Sequence, residues 1–272
     1  MGNQFLERQV FIGMKIYAIM VIYNKCIADS RTFLSLKNPA ISLIICDNST
    51  SDFDNKMYVE NAGAVYIDMG GNMGLSAAYN RALDFIMNDG KIHDDDMVCL
   101  FDDDTVVKAE YFEYLKDCSA DIVLPVVYDS AGIMSPVFIS KNKVVKRFAS
   151  KEKLLKAPSG CLSGINSAMA IRLKIFQNYR YDEQMFLDYI DHKFIIDMKE
   201  QGLFPEICPV EIQQDFSAVT DSKETAANRF RLQKKDLRYF YSDKMWVYYY
   251  IVIKKHIKLA LKYKDIRMMF CR

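Results

Sequence analysis

Residues 97–105 read Met97-Val98-Cys99-Leu100-Phe101-Asp102-Asp103-Asp104-Thr105. Five apolar residues in a row, without the 3.6-residue rhythm of a surface helix, predict a strand buried on both faces. Three carboxylates then close it. A buried strand delivers such acids to the carboxyl edge of a sheet, where open α/β folds bind ligands. A charge run of this kind often forms nothing more than a solvated turn. The apolar strand in front argues instead for a site where a cation offsets the repulsion. Mg²⁺ or Mn²⁺, hard ions with a preference for oxygen, suit three adjacent carboxylates.

The same design repeats towards the N-terminus. Lys15–Tyr23 is a β-branched and aromatic run followed by Asn24, and Ile41–Cys46 is a second strand ending on Asp47-Asn48-Ser49-Thr50-Ser51. Ile27–Leu36 reads as a helix ended by Asn38-Pro39. Val65–Met69 is a third strand, and Gly70-Gly71-Asn72-Met73-Gly74 turns into a helix over Leu75–Met87. Strands alternating with helices, each strand ending in Asn, Asp or Gly, predict a parallel, doubly wound arrangement. Its carboxyl edge brings together Asn24, Asp47, Asn72 and Asp102–Asp104.

Past the acids, Asp121–Tyr128 is another buried strand, and Ser135–Phe148 alternates weakly, as a hairpin does. Pro158–Gly164 is a small-residue loop, serving either close ligand approach or plain connection, and it runs into Met169–Ile171. A helix is expected from Asp182 to Gln201, capped by Gly202, with Asp188 and Asp191 on one face of its first turn. Either acid there could simply complement the helix dipole. Leu203–Ile212, interrupted by Pro205 and Pro209, reads as an edge strand.

Composition narrows the class. At 272 residues with half of them apolar, the chain can bury a sizeable core. A net charge of +1 argues against a dedicated nucleic-acid binder. Seven scattered cysteines without a Cys-x-x-Cys pair suggest a reducing compartment, and Cys46, Cys99, Cys161 and Cys208 sit in or beside apolar runs, as buried thiols do. Charge is uneven: from Lys234 on there are eleven Lys/Arg against three Asp, about +8, leaving about −7 elsewhere. Wound as a helix, the end of the chain places Lys254, Lys255, Lys258 and Lys262 on one side and Ile253, Ile257, Ala260 and Leu261 on the other. With Trp246 and Tyr248–Tyr250, that profile suits either a helix lying in a membrane interface or one packed on the body. No run is long enough to span a bilayer, no signal peptide is visible, and residues 1–13 look like an extension.

In their order and spacing these motifs resemble the inverting glycosyltransferases of family 2, and among them the bacterial rhamnosyltransferase-like members that build surface polysaccharides. The resemblance covers about Lys15 to Ser217. Val21-Ile22-Tyr23-Asn24 is similar to the first-strand motif, Cys46–Thr50 to the base-binding segment, and Gly71–Asn80 to the Asn-x-Gly…Asn signature. Asp102–Asp104 is similar to the Asp-x-Asp metal motif, Ser163-Gly164 to the acceptor loop, and Phe186–Asp191 to the helix start carrying the catalytic base.

The resemblance implies a GT-A fold: a Rossmann-like mixed sheet flanked by helices, over residues 14–218 in a nucleotide-sugar half (14–106) and an acceptor half (107–218). A helical, basic-aromatic extension over 219–272 follows. It implies transfer of a sugar from a UDP- or dTDP-sugar to a hydroxyl of a lipid-linked surface glycan, by an enzyme peripheral to the inner face of the bacterial membrane. Asp191 would be the base. Asp104 would hold Mg²⁺ or Mn²⁺ directly, and Asp102 would act through ribose or a metal-bound water. Asp47 would accept from the imide N–H of uracil or thymine. Tyr23, Asn24, Asn48, Asn72, Gly74, Asn80, Asp103, Ser163, Gly164 and Asp188 would complete the donor and acceptor contacts. Ionised Asp191 would be favoured by its helix N-terminus.

Three positions depart from the pattern. Gln214 stands where relatives often carry His before Asp-x-Ser, and Lys193 and Asp197 stand where Glu and Arg are common. Two other readings compete. A haloacid-dehalogenase-type phosphatase would use Asp102 as nucleophile and Asp104 as acid/base, but its motif normally ends the first strand and here three precede it. A non-catalytic sugar-nucleotide-binding protein would explain Gln214 but not an intact Asp191.

Overall fold

A computed structural model of the chain describes residues 13–36, 38, 40–90, 92–214 and 222–270. The expected extension up to residue 12, Pro39, the Asp215-Phe216-Ser217 motif, the boundary at 218/219 and Cys271 lie outside the described residues.

In chain order, the first half runs β1 (Ile16–Ile22), α1 (Arg31–Ser35), β2 (Ile41–Asp47), α2 (Asn55–Asn61), β3 (Val65–Asp68), α3 (Leu75–Met87), β4 (Met97–Phe101) and β5 (Thr105–Val106). The second half runs α4 (Ala109–Asp117), β6 (Ile122–Asp129), β7 (Gly132–Ser135), β8 (Val137–Ile139), β9 (Val145–Arg147), α5 (Lys151–Leu155), β10 (Leu162–Ser163), β11 (Met169–Arg172), α6 (Ile190–Glu200) and β12 (Glu206–Gln214). Two long helices follow, α7 (Lys223–Phe240) and α8 (Met245–Tyr263).

The main sheet has the order β3-β2-β1-β4-β11-β6-β12-β5, with β7 paired to the far end of β6. β3, β2, β1 and β4 are parallel, so Asp47, Tyr23 and Asp102 leave the sheet on the same edge. β11 runs antiparallel between β4 and β6, making the sheet mixed. Every residue of β4 is buried, because helices cover both faces of the sheet. One core holds α3, α6 and the start of α8 on one face, and the other holds α1, α2 and α4. This is the mixed α/β sheet flanked by helices that was expected.

Several local expectations change. The segment 27–36 divides at Ser30 into a short 3₁₀ turn and α1, because the Ser30 side chain caps the N–H of Phe33. β12 is not fully an edge: its last two residues pair with β5, and its ladder to β6 shifts register between Cys208 and Glu211, around Pro209. The weakly alternating stretch does contain a hairpin, β8–β9. Cys46, Cys99 and Cys208 are buried free thiols, whereas Cys161 is half-exposed.

The larger change concerns residues 182–201. The helix begins at Ile190, not at Asp182, and Tyr189 before it is left-handed with φ 66°. Asp188 therefore lies outside the helix, and it does not share a first turn with Asp191. The backbone of 185–188 is satisfied elsewhere. The Met185 carbonyl accepts from Ser76 Oγ at 2.6 Å, and the Phe186 carbonyl accepts from Leu75 N at 2.6 Å. The N–H groups of Phe186, Leu187 and Asp188 donate to the Asp236 carboxylate on α7, at 2.9, 2.9 and 2.8 Å. With its polar groups paired across the fold, the segment gains little from winding into helix.

α7 and the start of α8 belong to the body. Leu237, Phe240, Tyr241 and Val247 are buried in the same cluster as Ile19 of β1 and Tyr79 of α3.

Candidate active site

The strand ends converge on a cleft of about 450 Å³. Its walls include Tyr23 after β1, Asn48 after β2, Asn72 and Gly74 before α3, and Asp102, Asp103 and Asp104 after β4. Gln214 closes one side, and Arg229 and Leu232 of α7 close another. A larger groove of about 830 Å³ lies along α6 and β8. The smaller cleft is the candidate active site because the acids are in it.

The acidic turn is held by the start of α1. Ser30 Oγ donates to the Asp103 carbonyl at 2.8 Å, Thr32 Oγ1 donates to the Asp102 carbonyl at 2.6 Å, and Thr105 N donates to Thr32 Oγ1 at 2.8 Å. The three carboxylates then part company. Asp103 pairs with Lys25 at 2.6 Å. Asp102 accepts from Ser167 Oγ and, at 3.2 Å, from Gln214 Nε2. Asp104 accepts from the same Gln214 nitrogen at 2.8 Å. Burial pushes the Asp102 and Asp104 carboxyls above their ordinary range; the hydrogen bonds from Gln214, and at Asp102 from Ser167, oppose the shift, while the charge of Asp103 raises both and that of Asp102 raises Asp104.

This donor set fits a hard divalent cation. Gln214 bridges the two acids through its nitrogen, while its buried Oε1 has no partner. Amide O and N are exchanged by a simple flip, which would aim an oxygen at the acids in place of the nitrogen. Among the described residues no three His, Cys, Asp or Glu side chains form a metal cage. Two carboxylates plus ligand oxygens are the usual complement for Mg²⁺ at phosphates.

Gly74 is fixed by space as well as by backbone. Its φ is +87°, and a Cβ there would lie 2.7 Å from the Phe186 ring and 2.8 Å from the Phe186 carbonyl. Asn48 Nδ2 donates to the Gly74 carbonyl at 3.0 Å, tying the β2 end to the start of α3.

Other expected contacts turn inward. Asp47 is 5% exposed; its carboxylate accepts from Asn55 Nδ2, Tyr66 Oη and Ser49 N at 2.9, 3.1 and 2.9 Å. It organises the loop between β2 and α2. Asn24, left-handed with φ 47°, accepts from Thr50 N at 2.8 Å and locks the same loop. Asn80 bonds both backbone groups of Tyr181 and the Glu183 carboxylate, all at 2.9 Å, beneath α3. Ser163 Oγ pairs with His192 Nδ1 at 2.8 Å and so packs the base of α6, and a Cβ on Gly164 would meet Leu124 of β6 at 2.5 Å.

Asp191 sits in the first turn of α6 with its side chain 15% exposed. Its Oδ1 accepts from the N–H of His192 at 2.6 Å. Burial pushes its carboxyl above the ordinary range; His192 and that hydrogen bond oppose the shift, and Asp188 and Asp102 reinforce it. Desolvation thus opposes the ionised form that the helix N-terminus was expected to favour at Asp191. Asp188 accepts from Gln233 Nε2 at 3.1 Å and lies 3.5 Å from Arg229, with Oδ2 buried and unpartnered.

The reading from sequence missed Ser30, Thr32, Ser167, Arg229 and Asp236. Asp236 carried one signal visible in the sequence, an acid beside Leu237 on the apolar face of a basic helix, and the structure buries it to 1% exposure.

No family model matches the chain. Over 269 residues, 94% of this chain and 86% of the relative, it is 22% identical to the dTDP-rhamnosyl transferase RfbF of Shigella flexneri. Among solved structures it is similar to glucosyl-3-phosphoglycerate synthase of Mycobacterium tuberculosis, solved with Mg²⁺ and UDP. That match has 15% identity and a TM-score of 0.48, over 74% of this chain and 70% of that one. It is also similar to 4-diphosphocytidyl-2C-methyl-D-erythritol synthase, with 11% identity and a TM-score of 0.44 over 81% and 99% of the two chains.

Proposed function

We propose that the protein is a metal-dependent inverting glycosyltransferase, moving a sugar from a UDP- or dTDP-sugar to a hydroxyl of a lipid-linked surface glycan. The observation that carries this reading is the cleft itself, where Asp102, Asp104 and Gln214 meet Asn48, Asn72 and Gly74 at the carboxyl edge of the sheet. Similarity along nearly the whole chain to a rhamnosyl transferase supports it. Asp104 and Asp102 would hold Mg²⁺ or Mn²⁺ together with the Gln214 amide oxygen. Such an ion supplies Lewis-acid neutralisation of the departing diphosphate.

The protein's own groups do the rest. Asn48, Asn72 and the open Gly74 backbone line the donor side, and Tyr23 offers an exposed ring at its mouth. Asp191 takes the acceptor proton as the hydroxyl attacks the anomeric carbon, and a single displacement inverts the configuration. Its raised pKa makes it a stronger base once ionised. We place the enzyme at the inner face of the membrane; the apolar outer side of α8 and the basic C-terminal charge support that location. No helix among the described residues is long and apolar enough to cross a membrane.

The test is a panel of nucleotide sugars with Mn²⁺, read by thermal stabilisation and by release of nucleoside diphosphate. Stabilisation and turnover with UDP- or dTDP-sugars are expected. Binding without turnover on any acceptor would favour the non-catalytic reading, and hydrolysis of simple phosphate monoesters would favour the phosphatase.

A further inference from the structure

The C-terminal helix pair carries a second concave site. Between α7 and α8 lies a pocket of about 210 Å³ in which Arg229, Lys255, Lys258 and Lys262 surround Phe230 and Leu259. No carboxylate lines it. Arg229 also forms part of the cleft wall, so the two sites adjoin. The pocket is smaller than the roughly 300–1,000 Å³ of sites for drug-sized ligands, which suits a head group rather than a nucleotide.

Its cations are poorly compensated. Among the described residues the one ion pair of the pocket is Arg229 with Asp188 at 3.5 Å, and the charge of Asp188 also reaches Lys255, so one carboxylate faces four cations. Lys255 donates to the neutral Gln233 Oε1 and lies 5.3 Å from the Phe230 ring centre. Lys262 lies 5.1 Å from the Tyr263 ring, and Lys258 has no ion pair among the described residues. Burial pushes the Lys255 ammonium below its ordinary range; Asp188 opposes the shift, and Arg229 and Lys258 act in the same direction as burial. Like charges gathered around a void call for an anion.

The neighbouring surface indicates what carries that anion. Along the outer side of α8, Trp246, Tyr250, Ile253, Ile257 and Leu261 are 61, 56, 55, 44 and 73% exposed. Steps of four, three, four and four residues keep them on one line of the helix, opposite the side on which Leu259 is buried. Lys254, Lys258 and Lys262 follow one flank of the strip, at the same four-residue step. An apolar strip with an aromatic end and a basic flank is the form of a helix lying in a bilayer interface. The pocket opens on the basic flank.

We propose that the α7–α8 pocket is a lipid-phosphate site, taking the head-group phosphate of an anionic phospholipid while the strip enters the interface. The inference rests on the membrane location proposed above and narrows it to one binding site.

The test uses the full chain and vesicles of phosphatidylcholine with or without phosphatidylglycerol. Lys258→Gln with Lys262→Gln removes two charges from the pocket, and Lys254→Gln with Lys264→Gln removes two outside it. Vesicle partitioning should fall at least about tenfold more in the pocket pair than in the control pair. Equal losses would mean that only the overall field matters, and would overturn the site. Monomeric dihexanoyl-phosphatidylglycerol should raise the melting temperature of the parent and the control pair but not of the pocket pair. The same rise with inorganic phosphate alone, without vesicle binding, would make it a free-anion site and overturn the lipid assignment. Stabilisation by a nucleotide sugar should be unchanged in both pairs and serves as the folding control. If that stabilisation is missing in the parent while pocket-dependent vesicle binding persists, the transferase reading fails and the lipid site stands; the converse result leaves the transferase and removes the site.

Discussion

Replacing Asp236 should damage the cleft from the far end of the chain. Its carboxylate is 1% exposed and accepts three successive backbone N–H groups, from Phe186, Leu187 and Asp188. Phe186 and Leu187 line the cleft, and Asp191 follows three residues after Asp188. Asp236→Ala orphans all three donors. At about 1–3 kcal/mol for each buried unsatisfied group, the sum is about 3 kcal/mol or more. Relief from burying a carboxylate, and water entering the space, would return part of it, so a net loss of about 2–4 kcal/mol is expected. Asp236→Asn keeps one oxygen for two of the donors but turns an NH₂ towards the third, and should cost about 1–2 kcal/mol. Urea unfolding measures both. Turnover of the Asn variant, assayed where it is fully folded, should fall by about 10-fold or more, since small misplacement of positioning groups is costly. An Ala variant within about 0.5 kcal/mol of the parent, with unchanged kcat/KM, would refute the clamp.

Further outcomes follow from Gly74, Asp191 and the acidic turn. Gly74→Ala forces a Cβ against the Phe186 carbonyl at a φ of +87°, and should cost about 2–4 kcal/mol and most donor affinity, read by unfolding and nucleotide-sugar titration. Asp191→Asn should keep donor binding and lose transfer by about 10²-fold or more. Because burial raises the Asp191 carboxyl, activity in the parent should fall with decreasing pH at a point above the ordinary carboxylate range, and the acid limb left in residual Asn-variant activity should be that of Asp102 and Asp104 alone. Asp102 and Asp104 also have raised carboxyls, so their ionisation costs folded-state stability as pH rises through those values. Mn²⁺ relieves that cost, and its thermal stabilisation should be larger at about pH 8 than at about pH 5 and be lost in Asp104→Ala; equal shifts at both, or none, would count against the metal site.

Sequence alone determined the parts governed by burial and local spacing. β1, β2 and β4 were legible because a strand covered on both faces must be apolar throughout, and α3 matched its expected bounds because its inward stripe and the Gly74 turn are local. Of the strand-end residues expected to converge, Asn72 and Asp102–Asp104 line one cleft, where Tyr23 and Asn48 join them in place of their neighbours Asn24 and Asp47. Whether a polar side chain faces that cleft or the interior is set by partners distant in sequence. Tyr66 and Asn55 draw Asp47 inward, Tyr181 and Glu183 draw Asn80 inward, and Asp236 pairs the backbone that the local pattern assigned to a helix. The direction of the Asp191 shift likewise depends on how completely the fold desolvates it, a quantity no helix position specifies. Tertiary structure also decided that α7 supplies Arg229 and Leu232 to the cleft, because they and the acids after β4 that share its walls lie more than a hundred residues apart in the chain.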